Sequence, residues 1–252
     1  MSRHKPSKPI AAGREVYRCD HTPAKACGVT LQDSEIDDAI KHRIPSLLGD
    51  DAGRDRLASL LSGLGSTQFE QKRLNQILAV PAVVEDWRVG EALAEAFLVD
   101  HQQCFFPWPG TRDLKNSKAS PAGADLVGFV HQQTAVRFAF GEVKTSSEER
   151  WPPQVMTSRH GLAKQLEQLL LDGEEKRQLV RYLGHHAVGS TWQSDFKEAT
   201  AAYLRCPADV ALFGMLVRDV VPKEADLKSR TIQLAKSLRP KALFFCADFR
   251  RR

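Results

Sequence analysis

Hydrophobic residues recur with two different periods along this chain, and the change of period divides it near residue 80. Between residues 33 and 80, apolar positions recur every three to four residues, which is typical of amphipathic helices. The clearest stripe consists of four leucines followed by a glycine, namely Leu57, Leu60, Leu61, Leu64 and Gly65. Residues 1 to about 30 show little periodicity, with one candidate edge strand at 15–19. The pattern predicts an N-terminal tail and helical appendage over residues 1–80.

Beyond residue 80, helix-like and strand-like patterns alternate. Residues 86–100 are alanine-rich and amphipathic, which favours a helix. Apolar runs near 124–130 and 135–144 predict two successive strands, and a dense run at 208–217 predicts a buried strand. The remaining predicted elements are helices near 160–171, 174–183, 195–204 and 224–238, and a strand at 241–249. This order predicts an α/β domain over residues 81–252 with at least one crossover.

Composition and charge restrict the function without identifying it. The 252 residues are 42% hydrophobic and 27% charged, as in soluble globular proteins. No apolar run is long enough to cross a bilayer, and the N-terminus does not resemble a secretory signal, so we expect a cytoplasmic protein without a membrane partner. Five scattered cysteines argue against a disulfide framework. The net charge of +5 fits a polyanionic partner.

Three charged residues mark the two successive strands. Asp125 stands before the first strand, and Glu142 and Lys144 lie near the end of the second. Strand side chains alternate between faces, so Glu142 and Lys144 project to the same side. Exposed strand-end ion pairs would contribute little, but the flanking runs are apolar, and acids beside buried runs need a partner. Two carboxylates and an ammonium at one sheet edge suit a divalent metal, an activated water and phosphodiester cleavage.

These residues and their order resemble the PD-(D/E)XK nuclease superfamily, over roughly residues 85–250. Glu91 falls on a helix ahead of the sheet, where that family places an acid. Asp125 matches the acid of the second strand, and Glu142-Val143-Lys144 matches the (D/E)-x-K tripeptide. Gln165 falls on the following helix, where many members carry glutamine. Ala124 departs from the family pattern, because a proline often precedes the aspartate.

The resemblance implies a restriction-endonuclease-like core, with a central mixed sheet flanked by helices, and a metal-dependent DNA endonuclease. The catalytic residues it implies are Glu91, Asp125, Glu142, Lys144 and Gln165. The ligands it implies for Mg²⁺ or Mn²⁺ are Asp125, Glu142, the backbone carbonyl of Val143, and Glu91. Glu95, one helical turn after Glu91, is the rival for the helical acid.

The strand phrases around Asp125 and Glu142 also resemble those of the HamA effector nucleases of Hachiman defence systems. That similarity implies the nuclease subunit of a prokaryotic anti-phage or restriction system, with DNA as substrate, a helicase or ATPase partner subunit, and a homodimer as one arrangement. Two alternatives stay open: a non-cleaving nucleic-acid-binding or scaffold subunit, and a repair or recombination nuclease. For Trp108 and Trp151, the sequence allows either packing in the core or stacking on a nucleic-acid base. The pair His185-His186 is interpreted as a surface pair.

Overall fold

A computed structural model describes residues 8–22, 24–79, 84–113, 123–133, 135–237 and 242–249. Within these ranges, seven strands form one mixed sheet in the order β1-β2-β7-β6-β5-β4-β3. The strands are β1 (Arg14–His21), β2 (Ala24–Leu31), β3 (Cys104–Phe105), β4 (Leu126–Gln132), β5 (Ala135–Ser146), β6 (Ala211–Arg218) and β7 (Ala242–Phe249). The pairs β5–β6, β6–β7 and β7–β2 are parallel, and the other neighbours are antiparallel. The predicted α/β class and mixed sheet are confirmed.

Helices cover both faces of this sheet. In the described ranges they are α1 (Asp33–His42), α2 (Ile44–Leu48), α3 (Asp51–Leu60), α4 (Gln68–Ile77), α5 (Asp86–His101), α6 (Gln154–Thr157), α7 (Leu162–Leu171), α8 (Gly173–Ala187), α9 (Gln193–Arg205) and α10 (Lys228–Ser237). Short 3₁₀ turns occupy Gly110–Asp113 and Glu224–Asp226. None of these helices is both long and apolar enough to cross a membrane.

Two apolar clusters lie on opposite faces of the sheet, and β5 contributes to both. Phe138 and Phe140 belong to the cluster under α7, α8 and α9, whereas Ala139 and Val143 belong to the cluster under α1, α2 and α5. Strand alternation therefore assigns the even-numbered residues of β5 to the α7 side and the odd-numbered ones to the α5 side. Glu142 and Lys144 follow Phe140 on the α7 side.

The N-terminal segment differs from the predicted tail and helical appendage. Residues 14–31 form two strands. The candidate edge strand at 15–19 is confirmed as β1, whereas β2 is internal to the sheet, between β1 and β7. Both faces of β2 are covered, since Ala26 lies in one apolar cluster and Val29 in the other. A strand buried on both sides has no polar alternation to reveal it, and the small residues of β2 carry weak strand propensity. The predicted helices at 33–80 are present as α1 to α4.

Candidate active site

The unequal lengths of β4 and β5 create the candidate site. The first residue of β4, Leu126, pairs with Gly141, so β5 continues beyond its neighbour from Glu142 onward. The carboxylate of Asp125 takes the place of the missing strand, because its Oδ2 accepts a hydrogen bond of 2.7 Å from the Val143 N–H. This bond holds the Asp125 side chain beside the exposed edge of β5.

Lys144 joins the two carboxylates. Its Nζ lies 3.8 Å from Asp125 Oδ2 and 3.8 Å from Glu142 Oε2. The Glu142 side chain is 3% exposed, compared with 18% for Asp125 and 23% for Lys144. The structure thus brings together the three residues that the sequence placed at one sheet edge.

The cluster holds two buried acids against one ammonium. Burial, followed by the charge of Asp125, raises the pKa of Glu142 to about 8. Burial also raises the pKa of Asp125, against the opposing effects of Lys144 and the Val143 N–H. Glu142 Oε2 is buried and accepts no hydrogen bond. The Lys144 ammonium is the positive group beside this oxygen, but at 3.8 Å it is too distant for a hydrogen bond.

Glu91 enters the same region from α5, on the other face of the sheet. It lines a small cleft of about 60 Å³ together with Asp125. Burial, and then the charge of Asp125, raises the pKa of Glu91 to about 8. Gly90 permits this approach, because a Cβ at that position would lie 2.1 Å from Thr145 Cγ2 on β5.

The rival acid Glu95 has different electrostatic neighbours. Burial raises its pKa to about 7, and the charges that act on it are those of Arg43 and Asp50. Glu95 lines the same cleft as Asp125, but the charges of Asp125 and Lys144 are not among those that shift its pKa. Of the two helical acids, Glu91 is therefore the one whose pKa responds to the charges of Asp125 and Lys144.

Gln165 lies on α7, which packs against β5 and β6 on the face that carries Glu142. Its Oε1 is buried and has no hydrogen-bond partner. Val143 is buried and lies opposite Met215 in the parallel β5–β6 ladder. The roles proposed for the Gln165 amide and the Val143 carbonyl stay predictions.

Glu175 is a nearby acid that sequence reasoning missed. It is half-buried in the first turn of α8, and its charge contributes to raising the pKa of Glu142. Acids in a first helical turn are common because they complement the helix dipole. The sequence therefore offered no reason to assign Glu175 to the site, and no local pattern distinguished it from its neighbour Glu174.

The tryptophans have structural partners. Trp108 stacks on His186, with ring centroids 4.0 Å apart and planes at 12°, and the Arg112 guanidinium lies 4.7 Å from the Trp108 ring centroid. The Trp108 indole is thus packed against two side chains of the protein, which favours packing over base stacking. His186 is correspondingly half-buried, so the predicted surface pair applies only to His185. Trp151 donates to the Val221 carbonyl and packs under Lys223.

A buried ion pair holds the segment that follows β5. Arg218, at the end of β6, is fully buried and pairs with Asp226 at 2.6 Å. Its guanidinium also donates to the backbone carbonyls of Glu148 and Arg150. Because Arg218 lies opposite Ser146 in the ladder, these bonds fix the chain just beyond Lys144.

The acid pair has the chemistry of a Mg²⁺ site. Mg²⁺ is usually bound through one or two carboxylates, with other ligands from water and substrate phosphate. Glu142 supplies an unpartnered buried oxygen, and Asp125 keeps Oδ1 beyond the bond to Val143. Within the described ranges, no three or more His, Cys, Asp or Glu side chains lie close enough together to hold a metal ion. The two-carboxylate arrangement nevertheless fits a hard divalent cation.

Comparisons with known proteins give no family for this chain. Neither a scan against protein-family models nor a search of curated proteins finds a match. The functional argument therefore depends on the geometry and electrostatics of the site.

Proposed function

We propose that this protein is a metal-dependent DNA endonuclease with a restriction-endonuclease-like core. One observation carries the proposal: Lys144 Nζ lies 3.8 Å from both carboxylates, while the buried Glu142 Oε2 has no hydrogen-bond partner. Two ionised acids and one ammonium leave an uncompensated negative charge, which is costly in a buried site. A divalent cation removes that cost.

Asp125 and Glu142 would hold the cation, with Mg²⁺ or Mn²⁺ as the candidates. When bound, such an ion supplies Lewis-acid stabilisation of phosphate charge and lowers the pKa of water. The proposed roles of Glu91 and of the Val143 carbonyl are additional oxygen contacts at the same site. Glu91 is suited to this role because it shares the cleft with Asp125.

The other side chains would act on water and phosphate. Lys144 can position the attacking water and offset the negative charge that develops during in-line displacement. Gln165 has a buried amide oxygen without a partner and can orient the water or the scissile phosphate by hydrogen bonding. The role in an anti-phage or restriction system, the helicase partner and the homodimer are carried by sequence resemblance alone.

Supercoiled plasmid tests the nuclease directly. With Mg²⁺ or Mn²⁺ we expect nicking by the natural protein and a loss of at least about 100-fold in Glu142→Gln and Lys144→Ala. The first variant removes a ligand of the cation, and the second removes the ammonium that offsets developing negative charge. Glu91→Gln and Glu95→Gln form a matched pair on α5. We expect a clear loss only for Glu91→Gln, because only Glu91 has a pKa that responds to the Asp125 charge.

Two results would change the assignment. Retention of plasmid without nicking by any form would replace the nuclease with a nucleic-acid-binding or scaffold subunit. Cleavage confined to flaps, junctions or ends in a substrate panel would favour a repair or recombination nuclease.

A further inference from the structure

The helix α4 is the least covered helix of the described structure. Nine of its ten residues are exposed, and only Leu74 is half-buried. Isolated helices of this length are marginal in water. Thr67 and Glu70 form a capping box that stabilises the first turn. Because so little of α4 serves the core, its side chains are available for contacts outside the protein.

One side of α4 carries only amides and an ammonium. At 3.6 residues per turn, a continuous arc of about 140° contains Gln68, Gln71, Lys72, Asn75 and Gln76. We call these five residues the amide arc, and all of them are exposed. Gln71 donates one bond to the Gly65 carbonyl, which leaves its amide oxygen free.

The charges of α4 are separated between its two sides. Its one carboxylate, Glu70, lies outside the amide arc and accepts hydrogen bonds of 2.9 Å from the Ser66 and Thr67 N–H groups. The opposite side presents Phe69 and Ile77, which are 62% and 64% exposed, with Arg73 over the Phe69 ring. The amide arc therefore offers donors, acceptors and positive charge without an opposing carboxylate.

We propose that the amide arc contacts the major groove of duplex DNA, an inference that rests on DNA being the substrate in the proposed function. An α-helix fits this groove, where Asn and Gln can pair with adenine and Lys with guanine. The helix α4 follows α3 along the chain and is exposed over nine of its ten residues, so the amide arc is accessible to a duplex. An acid-free polar arc is complementary to the charge of DNA.

The start of α3 is attached to the rim of the candidate active site. Asp50 caps α3 by accepting from the Gly53 N–H, and its carboxylate pairs with Arg112 at 2.5 Å. Arg112 follows the segment 108–111, which lines the cleft that holds Glu91 and Asp125.

Fluorescence anisotropy with a labelled duplex of about 30 base pairs, in EDTA at physiological salt, tests the proposal. The double variant Lys72→Glu/Asn75→Glu changes the charge of the amide arc from positive to negative. Its matched control is Arg73→Glu/Ile77→Glu on the opposite side of α4. Both change the charge by three units. We expect at least about a tenfold loss of affinity for the first and less than about threefold for the control, because charges beyond the Debye length of about 8 Å are screened.

Several outcomes would overturn the proposal. They are unchanged binding by the arc variant, equal losses in both variants, a loss confined to the control, and no binding by the natural protein. A loss confined to the control would assign the contact to the apolar side and favour a protein partner there. Circular dichroism verifies that both variants keep their helices.

The nuclease and the amide arc can fail independently. If the natural protein binds without nicking in Mg²⁺, and the arc variant loses binding, the amide arc stands and the nuclease fails. If plasmid is nicked but the arc variant binds duplex normally, the nuclease stands and the amide arc fails.

Discussion

At the scale of single residues, Glu142 is a buried acid whose negative charge is not fully offset by Lys144. It is 2% exposed and its Oε2 has no hydrogen-bond partner. Without a cation, Glu142 takes up a proton at neutral pH, because burial and the Asp125 charge raise its pKa from 4.5 to about 8. Proton binding and metal binding therefore compete for the same carboxylate.

This competition predicts an unusual pH dependence of stability. Between about pH 5 and 8 the metal-free folded chain binds more protons than the unfolded chain, so its free energy of unfolding should fall as pH rises. For Glu142 the expected fall is on the order of a few kcal/mol, and Glu91 and Glu95 act in the same direction. Urea unfolding of Glu142→Gln should show a smaller slope with pH.

Magnesium provides the control for that prediction. At pH 8, millimolar Mg²⁺ should stabilise the natural protein by about 1–3 kcal/mol. Glu95→Gln should also reduce the pH slope but keep the Mg²⁺ effect. Equal stabilisation of Glu142→Gln by Mg²⁺ would contradict a role for this carboxylate as a ligand.

At the scale of elements, the site depends on how closely α5 approaches β5. Gly90 faces Thr145, one residue beyond Lys144, and no side chain fits between them. The close approach brings Glu91 to the end of β4, where Asp125 completes the hydrogen bonding of β5. Helix packing and strand termination thus bring together acids that lie on opposite faces of the sheet.

Gly90→Ala tests this contact. Alanine alone should stabilise a helix by about 1 kcal/mol relative to glycine. The added Cβ would lie 2.1 Å from Thr145 Cγ2, and overpacking of this kind costs about 1–3 kcal/mol. We expect net destabilisation in urea unfolding, with recovery when Thr145→Ser removes the clashing methyl group. A stabilised single variant would show that the contact relaxes freely.

At the scale of the whole molecule, the sheet is completed by segments far apart in sequence. The N-terminal β2 pairs with β7 at the other end of the chain, and its Ala24, Ala26 and Leu31 are buried. The segment before β1 is also attached, because the Ile10 N–H donates to Asp100 at the end of α5. By contrast, α3 and α4 contain no buried residue.

Two deletions of similar size should therefore have opposite effects. Removal of residues 1–31 takes away β1 and β2, exposes the β7 edge and opens both apolar clusters, so we expect aggregation or loss of cooperative unfolding. Replacement of residues 51–79 by a Gly-Ser linker should leave the melting temperature within a few degrees, since little apolar area is lost. Thermal unfolding and size-exclusion chromatography measure both outcomes. A cooperative, monomeric 1–31 deletion would show that β2 is dispensable.

The sequence predicted elements correctly where the apolar residues of a segment follow a single helical or strand pattern. The helices at 86–101 and 193–205 and the strand at 211–218 lie close to their predicted bounds. The prediction failed for β2, because a strand covered on both faces has no alternation. The predicted elements also leave residues 145–159 without a helix or strand, whereas the structure has the end of β5 and the short helix α6 there.

The candidate site shows the same division. Glu142 and Lys144 share a face because strand geometry is local, and their spacing of two residues was enough to predict it. Only the tertiary structure shows the bond from Val143 to Asp125, the nearness of Glu175 and the ring contacts of Trp108. It also separates Glu91 from Glu95 by their charged neighbours, in the direction that the family resemblance favours. Periodicity and residue chemistry by themselves determined the α/β class and the identity of the charged tripeptide. Contacts between distant segments depend on where strands end and how closely helices approach, and no local pattern records those distances.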